Sequence, residues 1–177
     1  MNKVLIAIVV VAIAGVIGWQ LGGQKRISVT QIEQASWQDT ELTDVTTGES
    51  FKISDFRGKK VLVESFGVWC PVCLAQQKET AKLKDMVGED VVLVSVDTDP
   101  NEDAAIVKNH AAENNLDWYF AVGGATFTQS LIDEFGLTVV NAPAAPVVLV
   151  CEDGATRYLS SGVKPAESLN EEIEKGC

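Results

Sequence analysis

Trp69-Cys70-Pro71-Val72-Cys73 sets two thiols three positions apart, between an apolar run that includes Val61-Leu62-Val63 and a stretch of helical periodicity. A strand, a sharp turn, two cysteines and a helix together place a dithiol at a helix N-terminus. There the unpaired backbone N–H groups and the positive end of the helix dipole favour the thiolate of Cys70, the more N-terminal sulfur. Pro71 suits the first helical turn, where its missing N–H costs nothing. The sulfurs are close enough to bridge, so the pair can cycle between dithiol and disulfide. The chemistry this spacing offers is thiol–disulfide exchange.

Glu64 lies six residues before Cys70. On the two-residue period of a strand it shares a face with Leu62 and Phe66, a costly position for a carboxylate without work or a partner. Burial there would raise its pKa and suit it to exchange a proton with Cys73. The plainer alternative is a strand glutamate paired with Lys60 or reaching water. Zinc needs a second cysteine pair or histidines at ligand spacing, and His110 stands alone in an amphipathic helical stretch, where it reads as a surface or capping residue. A soft ion such as Cu(I) on Cys70 and Cys73 is a rival use of the same thiols. Trp37 and Trp118 read as core or rim aromatics.

Elements must hold these groups in place. Val61–Phe66 reads as a strand, and Pro71 to Val87 as a helix whose Ala75, Leu83, Met86 and Val87 share one face before Gly88 ends it. Val91–Val96 is a β-branched run expected of a strand covered on both faces. Upstream, Trp37 to Gly58 predicts a hairpin turning at Thr47-Gly48, followed by a loop or single turn over Ser54-Asp55-Phe56-Arg57-Gly58-Lys59. Downstream come a helix opened by Asp99-Pro100-Asn101 and reaching about Asn114, a short strand Trp118–Val122, and a helix near Thr126–Phe135. Val147–Val150 and Thr156–Leu159 then form a hairpin across Asp153-Gly154, and Pro165 opens a last helix through Lys175. This order predicts an α/β sandwich with a mixed sheet.

The 177 residues carry a net charge of −11; with Lys3 and its apolar segment set aside, 13 bases face 25 acids, a net of −12. So acidic a surface disfavours phosphate backbones, which excludes nucleic acid as the expected partner. Val4 to Trp19 is uninterrupted apolar sequence, with Leu21 beyond Gln20. At 1.5 Å per residue it nearly crosses a bilayer core of about 30 Å. A cleaved signal peptide is the competing reading, but no A-x-A site follows the run. The expectation is a transmembrane anchor over residues 1–23, in the membrane through residues 3–21, a tether over 24–36, and one folded domain over 37–177. Lys3 on one side and Lys25 with Arg26 on the other leave the positive-inside count near a tie. Four cysteines behind a hydrophobic N-terminus favour an extracytoplasmic face for the domain.

From about Trp37 to Gly176 the sequence resembles the thioredoxin superfamily, in particular its membrane-anchored TlpA/ResA-like branch. The resemblance rests on Ser54-Asp55-Phe56-Arg57-Gly58-Lys59, Phe66-Gly67-Val68-Trp69-Cys70-Pro71-Val72-Cys73, Val94-Ser95-Val96-Asp97, and Ala145-Pro146-Val147-Val148-Leu149-Val150 ahead of Asp153-Gly154. It implies a thioredoxin-like three-layer sandwich with a mixed central sheet. It also implies that Cys70 attacks a substrate disulfide, that Cys73 resolves the mixed disulfide, and that Glu64 handles the proton. Trp69, Pro71, Val72, Ala145 and Pro146 would face the substrate. Pro146 would be cis, leaving the preceding backbone free to pair with an extended substrate; Pro143 is a nearby rival for that role. Trp69 would shield the nucleophile and offer a face to substrate.

Two positions depart from that branch. Gln76 stands where some ResA-like proteins have a glutamate, which leaves proton handling to Glu64, and Ala145 stands where threonine is frequent. In the implied topology, Cys151 and the last helix meet at the pole far from the active site, so Cys151 and Cys177 are expected to form a structural disulfide. A buried Cys151 with a frayed Cys177 is the alternative. The resemblance requires no bound cofactor: electrons pass between dithiols, with protein disulfides as substrates and a membrane or soluble donor. Reduction of protein disulfides is the expected activity. A disulfide-introducing oxidase of the same fold and a copper-binding or docking module are the alternatives. Peroxidase chemistry is disfavoured by the Trp-Cys-Pro-Val-Cys context.

Overall fold

A computed structural model of the protein describes residues 36–177. The expected anchor and the tether up to residue 35 lie outside the described residues; among those described, no helix is long and apolar enough to cross a membrane. The expected hairpin is present as β1 (Leu42–Thr43) antiparallel to β2 (Ser50–Phe51), closed around Asp44, whose carboxylate accepts from Thr46 and Thr47.

The main sheet is mixed. β3 (Lys60–Phe66) and β4 (Val91–Asp97) run parallel at its centre, and β5 (Tyr119–Val122) continues the parallel set beyond β4. On the other side of β3, β6 (Val147–Val150) and β7 (Thr156–Tyr158) add antiparallel, giving the order β5-β4-β3-β6-β7 among the described residues. The β-branched content of β3 and β4 reflects burial on both faces.

Helix α1 (Pro71–Val87) starts and stops where the sequence punctuates it, with Pro71 in the first turn and Gly88 at φ +57° just past the end. Leu83 of α1, Val107 and Ala111 of α2 (Ala104–Glu113), and Leu169 and Ile173 of α4 (Ala166–Lys175) pack with Leu62 and Phe66 on one face of the sheet. On the other face, Phe127 and Leu131 of α3 (Gly124–Phe135) pack with Val61, Val63 and Trp37. The alternation of β3 therefore sends Leu62, Glu64 and Phe66 toward α1 and α4. The last of the expected boundaries to shift is that of α2. Asp103, rather than the Asp99-Pro100-Asn101 turn, caps it by accepting from the backbone of Ala105 and Ile106.

Cys151, just past β6, is joined to Cys177 by a disulfide that closes a separation of 26 residues. Arg157 of β7 reinforces the same corner by donating to the carbonyls of Gly176 and Glu172 and pairing with the Glu172 carboxylate. In the chain-entropy picture such a closure contributes about 3.5 kcal/mol. Cys151→Ser with Cys177→Ser in the full chain is accordingly expected to lower the urea midpoint by that equivalent. Thiol exchange at the distant Trp-Cys-Pro-Val-Cys turn should stay unchanged. Coincident unfolding curves would show that the bond carries no stability.

Candidate active site

The turn from β3 into α1 carries both thiols. Cys70 is the N-cap of α1, and its sulfur accepts the backbone N–H of Cys73 at 3.2 Å, one of the donors a helix start leaves unpaired. Cys73, one turn inside, points its thiol at the carbonyl of Ala142 at 3.2 Å. Both cysteines are free thiols and both are buried. Burial pushes the Cys73 thiol far above its ordinary range, with the adjacent Cys70 sulfur and the charge of Glu64 acting the same way.

Glu64 is buried on the α1 side of β3, opposite Ser95 of β4. The indole N–H of Trp118 donates to the Ser95 hydroxyl at 3.0 Å, and that hydroxyl donates to one Glu64 oxygen at 3.2 Å. The other oxygen, Oε1, is buried with no hydrogen-bond partner among the described residues. Burial raises the Glu64 pKa to about 8, against the opposing pull of the Ser95 hydroxyl and the Lys164 ammonium. Lys60 is not its partner: that ammonium donates to the Ile173 carbonyl at 2.7 Å. Glu64 is thus a carboxyl that holds a proton near neutrality beside a thiol that must lose one.

The mouth of the site is set by close approach and by acids. A Cβ on Gly67 would stand 2.8 Å from the indole nitrogen of Trp69, so the ring folds back over that bare backbone and donates to Asp99 at 2.7 Å. Trp69 remains 58% exposed while Cys70 is 1% exposed. Glu102 accepts the Val68 N–H at 2.7 Å, and burial together with the Glu102 and Asp99 charges lifts Asp97, beneath the same turn, to about 7. Asp97 and Glu102 were not legible as site residues; only their proximity in the fold reveals them.

The proline expectation needs correction. No peptide bond is cis among the described residues, and Pro146 enters β6 through a trans bond. The reversal is made instead by the 3-10 turn Ala142–Ala144 followed by Ala145 in the left-handed region, φ +45°. Ala145 is also not a free shelf: its N–H donates to the Ala142 carbonyl at 2.9 Å, and its carbonyl accepts the Lys164 ammonium at 2.8 Å. The open groove, about 270 Å³, runs between Trp69, Thr98-Asp99-Pro100 and Val140–Pro143, so the rival Pro143 lines it while Ala145 and Pro146 lie buried behind. His110 differs from expectation as well. It is buried, stacked on Phe66 and bonded through Nε2 to Gln77 Oε1 at 2.7 Å, and burial lowers its pKa. An amphipathic pattern does not show which polar residue finds a buried partner. No group of three His, Cys, Asp or Glu is placed to hold a metal ion among the described residues.

The family model described as Redoxin matches residues 32–175, most of the chain. The chain belongs to the Redoxin family. An uncharacterized protein of Haemophilus influenzae is 30% identical over 112 residues, 62% of this chain and 65% of that protein. The thioredoxin-like protein YneN of Bacillus subtilis is 27% identical over 99 residues, 54% of this chain and 56% of that protein. The match therefore spans less than two thirds of either curated relative. In fold, this Redoxin chain is similar to a thiol:disulfide interchange protein of the thioredoxin family from Chlorobium tepidum. The TM-score is 0.63 at 15% identity, covering 77% of this chain and 92% of that one. A Redoxin sequence thus folds here as a thioredoxin-like α/β unit with a buried dithiol at a helix start.

Proposed function

We propose that this Redoxin protein is a membrane-tethered reductase of protein disulfides whose domain works outside the cytoplasm. Cys70 thiolate attacks one sulfur of a substrate disulfide, and the first substrate thiolate leaves. Cys73 gives its proton to the ionised form of Glu64 and attacks Cys70. That step releases the second substrate thiolate, with two electrons passed to the substrate and a Cys70–Cys73 disulfide left on the protein. Glu64 then returns the proton to the solvent or the departing thiolate.

The observation that carries the direction is the surroundings of the sulfurs. The Cys70 sulfur accepts one backbone N–H, the Cys73 thiol faces the Ala142 carbonyl, and the charges of Cys70 and of ionised Glu64 both disfavour a Cys73 thiolate. Strong oxidants of this chemistry stabilise the attacking thiolate and with it the reduced pair; here one backbone N–H donates to the Cys70 sulfur and the neighbouring ionisable side chain is an acid, which favours a reductant. The Cys151–Cys177 disulfide and the apolar segment Val4–Trp19 support an oxidising, extracytoplasmic setting. Equilibration of the full chain with glutathione or dithiothreitol buffers tests the direction. A potential at or below about −250 mV is expected, and one near −120 mV would make the protein an oxidant. Carbonate extraction of membranes tests the tether, which fails if the chain appears in the soluble fraction.

A further inference from the structure

Lys164 is a buried ammonium that the exchange chemistry leaves unexplained. Lys164 is 7% exposed, in the connection between β7 and α4, 100 residues from Glu64 in sequence. Lysine is almost never found at such depth unless its charge is paired. Its backbone is held from both sides by one side chain of α1. Gln76 Oε1 accepts the Lys164 N–H at 2.7 Å, and Gln76 Nε2 donates to the Lys164 carbonyl at 3.2 Å. Gln76 is fully buried and stands three positions after Cys73, on the next turn of the same helix.

From that clamp the lysine side chain reaches back toward the site. Nζ donates to the carbonyls of Ala145 at 2.8 Å and Gly162 at 2.7 Å, and Gly162 donates in turn to the Ala144 carbonyl at 2.8 Å. The 162–164 segment and the 144–145 segment are thereby fastened together, immediately after the Val140–Pro143 stretch that lines the groove. The carbonyl it holds belongs to the residue in left-handed conformation that redirects the chain into β6. We infer that Lys164 is a positioning residue that serves the thiol exchange proposed above: one side chain fixes the Ala145 turn that follows the groove-lining stretch Val140–Pro143, and its ammonium acts from there on the carboxyl that takes the Cys73 proton.

The electrostatics agree with the geometry. Burial lowers the Lys164 pKa to about 8 while the Glu64 carboxylate pulls it up, and Lys164 opposes the burial that raises Glu64. The other groups around the carboxyl are the Ser95 hydroxyl from β4 and the Cys73 thiol from α1; His110 of α2 is turned to Gln77. Removing the ammonium therefore moves Glu64 ionisation to higher pH and frees the Ala145 carbonyl.

The test uses the full chain with Cys70 held as a mixed disulfide with 2-nitro-5-thiobenzoate, whose release reports attack by Cys73. In Lys164→Met, the pH at which release reaches half its alkaline rate is expected to rise by about one unit. KM for an extended disulfide peptide is expected to rise by about threefold or more, with kcat at alkaline pH within about twofold of the parent. Lys164→Arg, which keeps the charge, restores the pH midpoint. Unchanged midpoint and KM in a cooperatively folding Lys164→Met protein would overturn the inference. Should that variant not fold, 15N-lysine spectra of the wild-type protein decide. A Lys164 Nζ signal that titrates with Glu64, and shifts in Glu64→Gln, supports the assignment; one that titrates like an exposed lysine overturns it. Wild-type protein that fails to release the chromophore would instead refute the resolving role of Cys73, and the same spectra would still decide Lys164.

Discussion

With Cys73 replaced by alanine, the protein is expected to accumulate as a mixed disulfide between Cys70 and its substrate, and multiple turnover should fall by at least about a thousandfold. The argument follows from geometry. Cys70 sits at the helix start with the Cys73 N–H on its sulfur, and that backbone donor survives loss of the side chain. The first attack therefore still occurs. The second has no nucleophile, because Cys151 and Cys177, the other cysteines, are consumed in their own disulfide. Cys70→Ala, by contrast, should lose substrate capture altogether, since Cys73 is buried one turn inside and bonded to the Ala142 carbonyl. Mass spectrometry of the non-reduced protein after mixing with a disulfide substrate distinguishes the two. A covalent adduct on Cys70→Ala, or none on Cys73→Ala, would reverse the assignment of attacking and resolving thiol.

The site was legible where its position follows from local pattern. Pro71 and Gly88 bracket α1 in the sequence as they do in the fold, and the two-residue period of β3 places Glu64 with Leu62 and Phe66 on the helix-covered face. Both signals are short-range, and neither depends on what the rest of the chain does. Lys164 is the opposite case. Between Val163 and Pro165 it reads as an ordinary surface lysine, and nothing local signals that Gln76, 88 residues away, holds its backbone. Ala145 failed for a related reason. An alanine before proline predicts extended backbone, yet the turn Ala142–Ala144 and the Lys164 bond fix it with positive φ. His110 shows the same limit, because its burial depends on Phe66 and Gln77, contributed by elements distant in sequence.

Glu64→Gln should make the protein more stable and a poorer catalyst at once, and the two effects share one cause. Burial lifts the Glu64 pKa from its ordinary 4.5 to about 8. Between those values the unfolded chain releases the proton and the folded one keeps it, so folding stability is greatest below about pH 4.5 and declines as pH rises through about 8. Glutamine resembles the protonated acid and removes that decline. The stabilisation should thus be small at pH 4.5 and approach about 5 kcal/mol above pH 8 as an upper bound. Ser95 can still donate to the amide oxygen, so the Trp118–Ser95 chain stays satisfied. The amide cannot accept the Cys73 proton, however, and resolution of the mixed disulfide should slow by about 10²–10³-fold. The limb of the rate profile near pH 8 should flatten with it. Urea unfolding at acid and alkaline pH, set beside chromophore release from the Cys70 mixed disulfide, measures both halves. A variant that is stabilised but resolves at the parental rate would mark Glu64 as a buried acid with no part in proton transfer. One that is slow but not stabilised would mean that the carboxyl is solvated before Cys73 attacks.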